Sequence, residues 1–66
     1  MIQIDLNSAE GTTYSLLEFG KKFARRELGY NSKQLKELHN ELLSGNRDNF
    51  INCFNKHFKN YIVLKN

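Results

Sequence analysis

Asn46-Arg47-Asp48-Asn49-Phe50-Ile51-Asn52-Cys53-Phe54-Asn55-Lys56-His57-Phe58-Lys59-Asn60-Tyr61-Ile62-Val63-Leu64 changes its period part-way along. Phe50, Phe54 and Phe58 recur every fourth residue, with Ile51 and Tyr61 on the same side and Asn49, Asn52, Lys56 and Lys59 on the other, which is an amphipathic helix capped by Asn46. Tyr61-Ile62-Val63-Leu64 is aromatic and β-branched and reads as a short strand. A helix running into a closing strand makes this an α+β chain.

Working outward, Ser44-Gly45 ends a preceding helix in which Leu35, Leu38 and Leu42 mark the buried side. Asn31 caps that helix, and Gln34, three residues on, completes a capping box. Before it, Leu16, Leu17, Gly20, Phe23, Ala24 and Leu28 recur at three and four, and Gly29 follows as a C-terminal cap. This first helix is expected to start near Ser8, with Asn7 as cap and Glu10 returning the bond; the alternative start places Gly11 in a frayed first turn, with Thr12 as a later cap. Gly20, on the apolar stripe, predicts the close approach of another backbone. Ile2, Ile4 and Leu6 alternate with Gln3 and Asp5, the period of a strand with one buried face. The expected order is β-α-α-α-β, a single α+β domain over residues 1–66. Its terminal strands pair as a two-stranded ribbon on three helices, in a direction left open. An isolated ribbon is marginal in water, so a homodimer that extends the sheet is also expected.

A chain of 66 residues has room for one core. The single Cys53 cannot form an internal disulfide, and a free thiol suits a reducing compartment. The longest apolar run is far short of the roughly 20 residues that cross a bilayer, and no basic-then-apolar leader follows Met1. A cytoplasmic location without membrane contact is expected. Net charge is +3, and Lys21, Lys22, Arg25 and Arg26 cluster as a ridge on the first helix, partly offset by Glu18 opposite Lys22 and by nearby Glu27. Beyond Asp48 no acidic residue balances Lys56, Lys59 and Lys65.

Chemistry is sparse. Cys53 and His57 share a helix face, as zinc ligands or a thiol and its base would. Zinc wants four ligands and His39 is the one further candidate, while thiol catalysis needs an orienting group and an oxyanion site; Cys53 is better read as a small apolar side chain. No metal, no cofactor and no catalytic residue is assigned, and the protein is expected not to be an enzyme. The second and third helices about Gly45 suggest a helix-turn-helix, but Glu41 occupies the position where that motif needs a small residue, and the later helix carries Phe rather than base-reading groups. Phe50, Phe54 and Phe58 fit a core better than a base-stacking platform. Tyr14, Phe19 and Tyr30 flank the apolar stripe and suit an interface.

The opening Ile4-Asp5-Leu6 with Ser8 and Glu10-Gly11, the Leu-rich first helix, Ser44-Gly45 leading to Phe50, Phe54, Lys56 and Phe58, and the closing Tyr61-Ile62-Val63-Leu64 resemble a family of small uncharacterised proteins encoded by tailed bacteriophages. Coverage is nearly end to end; the Arg25-Arg26 pair and the Asn-rich third helix depart from the family's pattern. The resemblance implies a viral accessory protein in the host bacterial cytoplasm. The expected function is binding and modulating a host protein, such as a defence nuclease or nucleic-acid-processing machinery, through Tyr14, Lys22, Arg25, Arg26 and Tyr30. The alternative is nucleic-acid binding by Lys21, Lys22, Arg25 and Arg26.

Overall fold

The chain is described over residues 1–66 by a computed structural model. Strand β1 (Ile2–Asp5) leads through a 3₁₀ turn (Ala9–Gly11) into α1 (Thr13–Glu27), α2 (Ser32–Leu42), α3 (Arg47–Phe58) and strand β2 (Ile62–Lys65). The expected β-α-α-α-β order and α+β class are both observed. Three helices reverse the chain so that β2 returns in the direction of β1. The two strands pair parallel, Ile2 opposite Ile62 and Asp5 opposite Lys65. Bonds from the Ile2 N–H to the Tyr61 carbonyl at 3.0 Å and from the Leu6 N–H to the Lys65 carbonyl at 2.6 Å bracket the ladder.

The caps fix the helix starts. Asn31 and Gln34 form the expected capping box, with bonds of 2.8 and 2.9 Å, and the Asn46 side chain accepts the Asn49 N–H at 2.9 Å. The start of α1 follows the later of the two expected caps, Thr12, and not Asn7. Asp5, rather than Asn7, organises the turn: its carboxylate accepts the Asn7 N–H at 2.8 Å, and its carbonyl accepts the Ser8 hydroxyl at 2.6 Å. An Asx side chain bonding two residues on makes a tight turn that competes with a helix start. The helix therefore begins at Thr13, with Thr12 Oγ1 accepting the Ser15 N–H at 3.3 Å, and Glu10 makes no return bond to Asn7. Gly11 is buried, not frayed: it packs so close to the end of β1 that a Cβ there would run into the Asp5 carbonyl oxygen and the Leu6 backbone.

Ten apolar side chains form the core: Ile4, Leu16, Leu17, Ala24, Leu38, Leu42, Phe50, Phe54, Phe58 and Ile62. Phe50, Phe54 and Phe58 are at most 1% exposed, so the third helix supplies a core rather than a stacking platform. At roughly 1.5–3 kcal/mol for each fully buried side chain of this size, those three rings supply a hydrophobic term comparable to the whole net stability of a small domain, before chain entropy is subtracted. Gly20 does mark a close approach, but the neighbours are rings rather than backbone. A Cβ on it would lie 3.0 Å from Phe54 and 3.1 Å from Phe58, whose centroids are 4.7 Å apart. Tyr61 belongs to neither α3 nor β2; it sits in the turn between them against Phe23, centroids 5.6 Å apart. Ile4 and Ile62 are the only strand residues in the core, so the ribbon caps the helices with its opposite face in solvent. No helix is long and apolar enough to cross a membrane.

Candidate functional site

Helix α1 turns Leu16, Leu17, Gly20 and Ala24 inward, and the same periodicity forces Tyr14, Lys22, Arg25 and Arg26 outward. Tyr14 is 74% exposed. The ridge expected from the sequence divides. Lys21 is half-buried on the flank toward α2, with Nζ 3.3 Å from His39 Nδ1 and 3.7 Å from Glu18, so Glu18 pairs with Lys21 rather than Lys22. Lys22, Arg25 and Arg26 make no ion pair within the chain.

Beside these cations lies a groove of about 300 Å³, lined by Ile2, Phe19, Lys22, Phe23, Arg26 and Glu27. Its floor is aromatic, Phe19 and Phe23 lying 6.2 Å apart, and Ile2 closes the strand side while remaining 39% exposed. Ile2 is shared between sheet and groove: its backbone N–H belongs to the ladder and its side chain to the cavity. In a parallel ladder successive residues direct their backbone groups to opposite edges. Ile2, Ile4 and Leu6 face β2, leaving Gln3 and Asp5 to face the open edge of β1. The Asp5 carbonyl is taken by Ser8, so the Gln3 N–H and carbonyl and the Asp5 N–H remain for another strand. Sequence reasoning placed Ile2 and Phe23 only in the core. The signal available was two interleaved i,i+4 pairs, Phe19 with Phe23 and Lys22 with Arg26, at the margin of the apolar stripe.

Tyr30 is elsewhere. It is half-buried in the α1–α2 connection, its hydroxyl 3.3 Å from His57 Nδ1, and His57 Nε2 lies 2.7 Å from Glu41 Oε1. Lys56 Nζ donates to the other Glu41 oxygen at 3.0 Å. Bonds from His57 first and Lys56 second hold the Glu41 carboxyl below its ordinary range, and the same Glu41 bond raises Lys56. Both carboxylate oxygens are thus engaged, and the chain of contacts braces the α1–α2 connection, α2 and α3 against one another. His57 faces Glu41 and Tyr30, while Cys53 packs half-buried against the core, so the Cys53/His57 spacing yields no assembled pair. No three His, Cys, Asp or Glu side chains converge as ligands. Glu41, at the position where a helix-turn-helix needs a small residue, instead spans to α3, and that helix has its aromatic side buried. A further cation, Arg47, is spent on structure: it donates to Thr13 Oγ1 at 2.6 Å and to the Gly11 carbonyl at 2.9 Å, pinning the start of α3 to the start of α1.

No protein-family model, curated protein or solved structure matches the chain.

Proposed function

We propose that this chain is a non-enzymatic interaction module, a phage accessory protein that binds and modulates a protein of the bacterial host. The observation that carries the binding reading is the groove beside α1: apolar surface from exposed Ile2 and half-buried Phe19 and Phe23, flanked by the unpaired cations Lys22 and Arg26. Aromatic anchors with arginine at their margin are the composition of protein interfaces. Tyr14 and Arg25 extend the same helix face, whereas Tyr30 is committed to His57 and falls outside it. The host setting and the targets, a defence nuclease or nucleic-acid-processing machinery, rest on the resemblance of the opening and closing segments to phage proteins.

Nucleic-acid binding is the second reading, and the three free cations of α1 are what favour it. Magnitude weighs against it. With Lys21 held by Glu18 and His39, the ridge offers three phosphate contacts, which corresponds to a salt slope of about −2.7 on duplex DNA and to weak binding.

Affinity capture from host lysate, after nuclease treatment, tests the choice. Wild type is compared with the Lys22→Glu, Arg26→Glu double variant and with a Lys33→Glu, Lys36→Glu control on α2, where both lysines are exposed. A stoichiometric protein retained by wild type and control but lost from the α1 variant is expected. Capture that disappears with nuclease, or that ignores both variants, refutes the proposal.

A further inference from the structure

We infer that the partner presents an extended, acidic segment that adds as a third strand to the free edge of β1. This rests on the binding-module reading and names the chemistry of what is bound. Three observations bear on strand β1 and the groove that begins in it. The outward Gln3 N–H and carbonyl and the Asp5 N–H are the unpaired half of a strand ladder, a template for a further strand. The groove begins at Ile2, in the same strand, and is lined by Phe19 and Phe23, so an apolar side chain of an added strand has a cavity to enter. Lys22 and Arg26 rim that cavity without an intramolecular carboxylate, and Arg25 lies on the adjoining face; against Glu27 the local balance stays positive. A strand with apolar and acidic residues at alternate same-face positions satisfies all three together.

A second copy of the chain fits the edge less well. Antiparallel pairing of two β1 strands about a two-fold axis places both α1 helices, and with them Lys22 and Arg26 of both protomers, on one face of the shared sheet. Asp5, the acidic residue of β1, alternates with Ile4 and therefore points to the opposite face, where it cannot offset them. Charge thus selects an acidic strand over self-pairing.

The test uses the full chain and a synthetic peptide of about nine residues, with glutamate and valine alternating on one face and threonine on the other. Labelled peptide is titrated by fluorescence anisotropy, and amide hydrogen exchange is followed by NMR. Binding is expected to weaken by about tenfold or more in the Lys22→Glu, Arg26→Glu variant and in high salt. Bound peptide should slow exchange at Gln3 and Asp5, while peptides N-methylated at alternate amides, or carrying lysine for glutamate, should fail to bind. The inference is overturned by any of three results: no added protection at Gln3 and Asp5; equal binding of the N-methylated or the lysine peptide; or concentration-dependent protection of Gln3 without peptide, which assigns the edge to a second copy. If lysate capture depends on Lys22 and Arg26 while the peptide does not bind, strand addition falls and the binding-module reading stands. Peptide binding at the edge with no captured host protein removes the module reading instead.

Discussion

Replacing Gly11 by alanine sets local preference against tertiary contact. In a frayed helical turn the change would stabilise the fold by about 0.4–1 kcal/mol through the unfolded chain. In the folded protein the added Cβ meets the Asp5 carbonyl oxygen and the Leu6 backbone, and neither can swing aside as a side chain does. Either the 3₁₀ turn moves or the end of β1 does. Moving the turn draws the Gly11 carbonyl from Arg47, a charge-assisted bond of 2.9 Å worth roughly 1.5–3 kcal/mol. Moving the strand end breaks the Leu6–Lys65 bond, worth about 0.5–1.5 kcal/mol. With about 1–3 kcal/mol of residual crowding added and the unfolded-state gain subtracted, the mid-values of these ranges give a net loss of about 2–4 kcal/mol. A domain of this length has roughly 3–10 kcal/mol in all. Urea unfolding followed by far-ultraviolet circular dichroism should therefore show the midpoint falling by about 2 M or more, taking a slope near 1 kcal/mol/M. Gly45→Ala is the comparison: its Cβ meets the Asn49 side chain and no backbone, and with Asn49 Cβ 2.9 Å away a smaller loss than for Gly11→Ala is expected. A Gly11→Ala midpoint equal to or above wild type refutes the reasoning.

Phe54→Ala removes a side chain with no exposure and should cost about 3–5 kcal/mol, leaving the chain largely unfolded by NMR; a dispersed, native-like spectrum contradicts the core assignment. Thr12→Ala should cost about 1 kcal/mol and Asn7→Ala markedly less, because Thr12 and not Asn7 caps α1; equal midpoint losses in urea would return the cap to Asn7. Glu41 is held below its ordinary value of 4.5 by His57 and Lys56, so its contribution is complete above about that pH and is lost as pH falls through the lowered folded-state value. Glu41→Gln should accordingly lose less stability than wild type between neutral and acid pH, and identical acid limbs in urea titrations would exclude the brace. Lys56, raised from 10.5, acts in the opposite sense, its contribution fading as pH rises beyond that value.

Much of the architecture is written in local pattern. The fourfold spacing of Phe50, Phe54 and Phe58 and the Asn31–Gln34 box each report a choice made within a few residues and are found as read, while the alternation of Ile2, Ile4 and Leu6 gives the strand but buries only Ile4. The errors share a cause. The Asp5 turn, the burial of Gly11 and the rings against Gly20 are decided by what the neighbouring backbone or a later helix does, which no window of sequence contains. The same holds for the site. Exposure of Tyr14, Lys22, Arg25 and Arg26 follows from helical phase, but Lys21 meets His39 and Tyr30 meets His57 across 18 and 27 residues, and both leave the expected surface for that reason. The groove unites Ile2 with α1 only because the strand lies beside the helix.

The Ile2–Ile62 register also bears on the order of events in folding. Joining those residues closes a loop of roughly 60 residues, at an entropic cost that grows as (3/2)RT ln n, about 3.6 kcal/mol before any fixed term. Neighbouring helices close far shorter spans, so the helical trio condenses first and the two ends clasp afterwards. Because Ile4 and Ile62 belong to the same core as Phe50, Phe54 and Phe58, that late clasp also seals the end of the helical core.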